Sequence, residues 1–110
     1  MAPLTGWNLI NGRWVMNKDP GATRNYGIDW TAWLAQLPIP GDSVATANWA
    51  ITDTSATPLT KQASNVQGNI TLIKASGGTL NGQPTAQCTI TTTLGQEVQP
   101  LTLYFNMVTQ

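Results

Sequence analysis

A series of short segments in which apolar and polar residues alternate limits the folds open to this chain. The clearest runs from Gln99 to Val108, where four apolar side chains fall on one face and polar side chains on the other. Val44 to Ile51 and Thr85 to Thr93 alternate in the same way, and Asn69 to Ala75 is a short apolar run. A period of two residues is typical of β-strands with one buried face. The sequence therefore predicts a fold built of strands.

Turn signals separate these segments. Glycine pairs with Gly, Asn or Leu at Gly77-Gly78, Asn81-Gly82 and Leu94-Gly95, and no stretch of ten residues shows a helical period. The stretch Leu59 to Ala63 is compatible with a further strand. Several short strands divided by turns favour an all-β fold, a single immunoglobulin-like β-sandwich. A closed barrel of the oligosaccharide-binding type is the alternative.

The first 25 residues follow no sustained period. They hold Trp7, Trp14 and the turn signal Asp19-Pro20-Gly21. We predict that residues 1–25 form an extended N-terminal arm, or a single edge strand from Gly12 to Met16, which lies on its own domain or on a neighbour. Residues 26–110 are predicted to form the sandwich domain, because the strand pattern begins there. A chain of 110 residues has the usual size of one domain.

Charged residues are scarce in this chain. Five basic residues balance five acidic ones, and together they make up 9% of the sequence, against roughly 25% in an average globular protein. A chain without a basic face is not expected to bind nucleic acid. It also lacks a cationic amphipathic segment and a run of about 20 apolar residues, so no membrane association is predicted. A weakly charged surface favours assembly with other proteins.

No group of side chains indicates catalysis or metal binding. The sequence contains no histidine and a single cysteine, Cys88, so the commonest general base and the Cys/His sets that bind zinc are missing. Cys88 lies in an alternating segment and is predicted to be a buried thiol. Asp19 and Asp42 stand beside proline or glycine, where aspartate binds the local backbone. We therefore predict no enzymatic activity, no catalytic residues, no cofactor and no metal.

The five tryptophans are the best candidates for binding. Trp49 belongs to an apolar face and is predicted in the core. Tyr26 to Leu34 is predicted as the first strand of the sandwich, in which Trp30 and Trp33 would point to opposite faces, or to one face if a bulge intervened. Tryptophan supplies large anchors in protein interfaces. The interface candidates are Trp7, Arg13, Trp14, Trp30 and Trp33.

The order of several short motifs resembles that of a known protein family. The matching residues are Lys18-Asp19-Pro20, Tyr26, Ile28-Asp29-Trp30, Trp33-Leu34, Gly41-Asp42, Trp49, the Ser76-Gly77-Gly78-Thr79 turn and Thr89-Ile90-Thr91-Thr92. In this order they resemble a family of small tailed-bacteriophage proteins that are encoded among virion genes and usually labelled fiber–tail adaptors. Two departures are Asn25, where the family usually has aspartate, and Leu80 to Pro84, which replaces a shorter segment.

The resemblance implies a non-enzymatic structural protein of a bacteriophage virion, an adaptor in the neck or tail that links tail and fibre. The expected partners are other virion proteins (portal or adaptor, tail or nozzle, tail fibre, capsid) and copies of the chain itself. The expected location is the virion, after assembly in the host cytoplasm. One alternative is a capsid decoration, or cement, protein. Another is a carbohydrate-binding module, in which Asn25 and Asp29 would fix sugar hydroxyls beside an exposed aromatic side chain.

Overall fold

The computed structural model describes residues 2–4 and 7–109, and strands account for most of them. In chain order the elements are β1 (Ala2–Pro3), β2 (Asn8–Ile10), β3 (Arg13–Lys18), β4 (Arg24–Asp29), the short helix α1 (Thr31–Leu34), β5 (Val44–Thr52), β6 (Leu59–Gln67), β7 (Ile70–Gly77), β8 (Thr85–Thr92) and β9 (Val98–Met107). A search of these residues for a helix long and apolar enough to cross a membrane finds none.

The strands form two sheets that pack face to face. The first has four strands in the order β1-β4-β7-β6, all antiparallel. The second has five strands in the order β2-β3-β9-β8-β5, where β3 runs parallel to β9 and the other pairs are antiparallel. The predicted all-β sandwich is confirmed, and the alternative of a closed barrel is not what the chain forms. The immunoglobulin-like topology in particular stays a prediction.

The predicted strands after residue 44 are all present, with boundaries shifted by a few residues at most, and the ambiguous stretch from Leu59 to Ala63 is part of the longer β6. One side chain was assigned to the wrong face. Ala45, predicted on the buried face of β5, is exposed because a β-bulge between Val44 and Thr46 shifts the register of the strand. Val44 is buried in its place.

The prediction of one strand from Tyr26 to Leu34 is wrong beyond Asp29. A carboxylate oxygen of Asp29 accepts a hydrogen bond from the backbone N–H of Thr31 at 2.9 Å. Trp30 then has φ −96° and ψ 0° and begins the single turn of α1. Strand β4 therefore ends at Asp29, and a helical turn follows it.

The described residues before position 25 are paired into both sheets. Strand β1 pairs with β4, and β2 and β3 form a hairpin. The turn of this hairpin is Asn11-Gly12, with φ of 50° and 77°, as two-residue hairpin turns require. The edge strand predicted from Gly12 to Met16 is instead an interior strand, because β2 lies outside β3. That residues 1–25 and 26–110 act as separate units stays a prediction, and residues 1, 5 and 6 lie outside the described residues.

The core lies between the two sheets. Trp49 is 8% exposed and Cys88 is fully buried, as predicted. Burial raises the pKa of the Cys88 thiol to about 11, although the Thr71 hydroxyl near its sulfur acts in the opposite direction. The other members of the buried core cluster are Tyr26, Ile28, Trp30, Leu34, Val44, Leu59, Ile73, Ala75, Ala86, Ile90, Leu103, Phe105 and Met107.

Candidate protein interaction sites

Two of the candidate interface residues, Trp30 and Trp33, lie side by side. Their ring centroids are 5.6 Å apart and their planes are inclined at 73°. Trp30 has no exposed surface, and its indole N–H donates to the Thr71 hydroxyl at 2.9 Å. Trp30 is therefore a core residue, whereas Trp33 keeps part of its surface exposed. The turn of α1, and not a bulge, brings both rings to one side of the chain.

Trp7 belongs to a cluster of three aromatic rings at the margin of the core. Its ring centroid lies 5.1 Å from that of Phe105 and 5.9 Å from that of Tyr26, and the last two are 5.0 Å apart. All three pairs are edge-to-face, an arrangement worth about 0.5–1.5 kcal/mol per pair beyond the area it buries. Trp7 itself is half-buried. Its ring thus packs against the core and still presents a surface.

A groove of about 570 Å³ opens beside this ring, between β3 of one sheet and β4 of the other. We call it the Trp7 groove. Burial raises the pKa of the Tyr26 phenol at its wall, and the charge of nearby Arg24 partly opposes that rise. The groove is lined by Leu4, Trp7, Asn8, Met16, Asn17, Lys18, Asp19, Ala22, Arg24, Asn25, Tyr26 and Gly27.

Lys18 lines this groove but is only 2% exposed. Its ammonium group donates to the backbone carbonyls of Asp19 at 3.1 Å, Ala22 at 2.8 Å and Gly77 at 2.9 Å. Burial lowers the pKa of Lys18, and the nearby charge of Asp19 partly offsets this effect. Because an ammonium group has three N–H donors, none is left for a ligand. Lys18 therefore holds the structure together and does not bind a partner.

The two remaining interface candidates, Trp14 and Arg13, lie on opposite faces of β3. Trp14 lies opposite the buried Leu103 and packs half-buried against the core. Arg13, one residue earlier, is exposed on the outer face, where its guanidinium lies 5.0 Å from the centre of the Tyr104 ring. Cation–π contacts of this kind stabilise exposed arginines by about 0.5–1 kcal/mol. The contact holds a charged and an aromatic side chain together on the surface.

A shallow depression of about 490 Å³ surrounds this pair. We call the surface formed by Ile10, Arg13, Val15 and Tyr104 the Arg13–Tyr104 face. Ile10 is 52% exposed, and Val15 and Tyr104 are half-buried. The alternation of β9 placed Tyr104 among polar residues, and that position is the signal by which the sequence could have pointed to it.

The four aspartates accept hydrogen bonds from backbone N–H groups. Asp42 is 7% exposed and accepts hydrogen bonds from the N–H groups of Ser43, Leu94 and Gly95 at 2.9, 2.8 and 3.1 Å. Burial alone would raise its pKa, but these bonds and one from the Thr92 hydroxyl outweigh burial and lower the pKa to about 2.

Asp53 organises a second loop in the same manner, through the N–H and hydroxyl of Ser55 and the N–H of Leu59. Burial would raise the pKa of Asp53, but these hydrogen bonds lower it. Within residues 2–4 and 7–109, no three His, Cys, Asp or Glu side chains form a group that could hold a metal ion. Asp42 and Asp53 therefore hold loops in place.

The sugar-binding alternative required an exposed aromatic ring beside Asn25 and Asp29. The ring nearest to Asp29 in sequence, Trp30, is buried. The Thr31 side chain and backbone N–H both hydrogen-bond the carboxylate of Asp29 and lower its pKa. This arrangement leaves Asp29 occupied in holding the end of β4.

Comparison with known proteins identifies the family of the chain. A family model described as the podophage GP4 fiber-tail adaptor protein gp77 matches residues 18–103, which is most of the chain. The chain belongs to this fiber-tail adaptor family. No match was found among curated proteins or among solved structures. Membership makes the chain a phage adaptor protein of the virion that contacts other virion proteins, as the sequence motifs implied.

Only some of the interface candidates of the fiber-tail adaptor lie inside the region that the family model matches. Trp30 and Trp33 lie inside it, whereas Trp7, Arg13 and Trp14 precede its first residue, Lys18. Several motif residues inside it have structural roles that the geometry shows directly. Lys18 binds the Gly77 carbonyl, Trp30 binds Thr71 and Asp42 binds the loop after β8, so these motifs maintain the sandwich.

Proposed function

We propose that the adaptor links tail and fibre components in the neck or tail of the virion by protein contacts, without enzymatic activity. The observation that carries the proposal is the Arg13–Tyr104 face. Arginine and tyrosine are enriched among the residues that contribute most to protein interfaces. Here they are already in contact on the surface, beside the exposed Ile10. A partner would meet a preorganised pair and lose little side-chain entropy on ordering it.

The composition of the five-stranded sheet supports the same reading. Within β2, β3, β9, β8 and β5 the charged residues are Arg13 and Lys18, and Lys18 is buried. The centres of protein interfaces are depleted of charged residues relative to other surfaces. The outer face of this sheet therefore carries one charged side chain in a broad uncharged surface. Such a composition is typical of a surface that binds a protein.

The test uses the phage itself. Particles would be produced with the wild-type adaptor, with Arg13→Ala, or with Lys74→Ala, and the adaptor and fibre content of purified particles would be measured by quantitative mass spectrometry. Lys74 is the control because it is an exposed cation on the other sheet. Truncation of a strongly contributing interface residue costs about 2 kcal/mol or more, or on the order of thirtyfold in affinity.

We expect Arg13→Ala particles to lose adaptor or fibre and Lys74→Ala particles to retain both. Normal content in Arg13→Ala particles would contradict the role of the Arg13–Tyr104 face. A capsid decoration protein is the second candidate within the same class. An adaptor copy number matched to the shell, and not to the tail, would favour it.

A further inference from the structure

The two sheets differ in how their edges are protected. In the four-stranded sheet, β1 has only two residues, one of which is Pro3, and β6 carries Lys61 and a bulge between Lys61 and Ala63. Short strands, proline, lysine and bulges are the devices by which natural proteins prevent an edge from pairing with another chain. Both edges of this sheet are therefore blocked.

The long edge of the five-stranded sheet lacks these devices over most of its length. Strand β5 has nine residues and contains neither a charged residue nor proline. Its bulge lies at the start, between Val44 and Thr46, so the segment Thr46 to Thr52 pairs without interruption with β8 on one side. We call this segment the β5 edge. Because alternate backbone groups of a strand point to opposite sides, the second side offers N–H and C=O groups to a further strand.

The core is also incompletely covered along the β5 edge. Ala47 and Ile51 pack against the core but remain partly exposed, and Val66 of β6 does the same. A crevice of about 270 Å³ runs between β5 and β6 and is lined by Ala47, Trp49, Ser64, Asn65 and Val66. The Trp49 indole N–H is buried and has no hydrogen-bond partner among the described residues. Buried polar groups usually have a partner. In the described part of the single chain, this side of the sandwich therefore has an incompletely covered core and an unpaired hydrogen-bond donor.

We propose that the β5 edge pairs antiparallel with the β5 edge of a second copy of this chain about a twofold axis. The result is one continuous sheet of ten strands. A twofold interface places the same segment against itself, and like charges directly opposite each other destabilise such pairing. The β5 edge contains no charge, so no register brings like charges together. The second copy covers Ala47 and Ile51.

This pairing leaves the proposed docking surface free. The Arg13–Tyr104 face lies on β2, β3 and β9, at the other side of the sheet from β5. Two paired copies therefore carry two such faces, one at each side of the ten-stranded sheet. The pairing does not depend on the tail–fibre role, because it follows from the composition and geometry of the β5 edge alone.

The mass of the full chain in solution tests the proposal. Light scattering after size exclusion, over a range of concentrations, would be measured for the wild type, Asn48→Lys and Gln87→Lys. Asn48 is exposed on the β5 edge, and Gln87 is exposed on β8, one strand further in. We expect twice the chain mass for the wild type and Gln87→Lys, and the mass of one chain for Asn48→Lys. A wild type that stays monomeric, or a dimer that both variants or neither variant dissociates, would overturn the pairing.

Amide hydrogen exchange of the wild type tests the pairing of the β5 edge even if the Asn48→Lys variant does not fold. Backbone N–H groups on the free side of an edge exchange quickly, and pairing with a second strand slows them. We expect exchange in Thr46 to Thr52 to slow as the concentration rises, while exchange in β6 stays unchanged. Exchange in this segment that does not depend on concentration would count against the pairing.

Discussion

The ammonium group of Lys18 donates a hydrogen bond to the carbonyl oxygen of Gly77 at 2.9 Å, across 59 positions of the chain. This bond ties the end of β3 in one sheet to the end of β7 in the other. It also joins two of the motifs by which the family is recognised, the Lys-Asp-Pro turn and the Ser-Gly-Gly-Thr turn. In this chain the contact holds the two sheets together.

Replacing Lys18 with Met tests this contact. The change removes three hydrogen bonds and leaves the carbonyls of Ala22 and Gly77 without the lysine donor, whereas the carbonyl of Asp19 keeps its bond from the Ala22 N–H. We expect the free energy of unfolding to fall by about 3 kcal/mol, because a buried acceptor left unpaired costs roughly 1–3 kcal/mol. Urea denaturation measures it, with the exposed Lys61→Met as control. A loss below about 0.5 kcal/mol, as at ordinary surface positions, would show that the bond is not structural.

Asp42 makes the stability of the adaptor depend on pH. Its pKa is about 2 in the folded chain, below the ordinary value of 3.8. A carboxyl whose pKa is lowered by folding stabilises the folded state above its unfolded pKa and loses that effect as pH falls through the folded pKa. The stabilisation from Asp42 should thus be complete above about pH 4 and decline toward pH 2. Urea denaturation at several pH values should show a shallower decline for Asp42→Asn than for the wild type, and equal slopes would be evidence against this role.

Gly27 makes room for β1 on the four-stranded sheet. A Cβ at this position would lie 2.6 Å from Leu4 Cδ1 and 2.6 Å from Leu72 Cδ2. We expect Gly27→Ala to displace the Leu4 side chain and to cost about 1–3 kcal/mol, as overpacking does. The control is Gly21→Ala, where the nearest atom would be 3.4 Å away.

A second change separates this clash from other effects of the alanine. If Leu4 is what the new Cβ strikes, then Leu4→Ala should relieve part of the penalty, and the two changes should not add. Full additivity of the two losses in urea denaturation would mean that Leu4 does not lie over Gly27.

The paired tryptophans should differ in their contribution to stability. Trp30→Ala removes a fully buried ring and its hydrogen bond to Thr71, so we expect a loss of about 3–5 kcal/mol. Trp33→Ala removes a half-exposed ring, and we expect a loss of about 1–2 kcal/mol, within the usual range for single substitutions. Thermal or urea unfolding of both variants compares them directly. A greater loss for Trp33→Ala would reverse the assignment of the two rings.

The alternation of side chains predicted the later strands because the period of two residues is a local property. Helix α1 left no such sign, since four residues are too few for a helical period to repeat. The register shift that exposes Ala45 arises from a bulge in the pairing of β5 with β8. The sequence of β5 alone does not indicate where such a bulge lies.

Contacts between residues far apart in the sequence could not be predicted for a different reason. The parallel pairing of β3 with β9 joins segments from the two ends of the chain, and no local pattern encodes it. The role of Lys18 could not be predicted, because its acceptors are backbone carbonyls, which every residue carries. The Arg13–Tyr104 pair could be found only once the two strands were known to lie side by side.

A cryo-electron microscopy map of the intact phage particle tests the central claim most directly. We expect density for this sandwich where the tail and fibres meet, with the Arg13–Tyr104 face in contact with another virion protein. Density on the capsid shell, or at the tail with that face open to solvent, would contradict it.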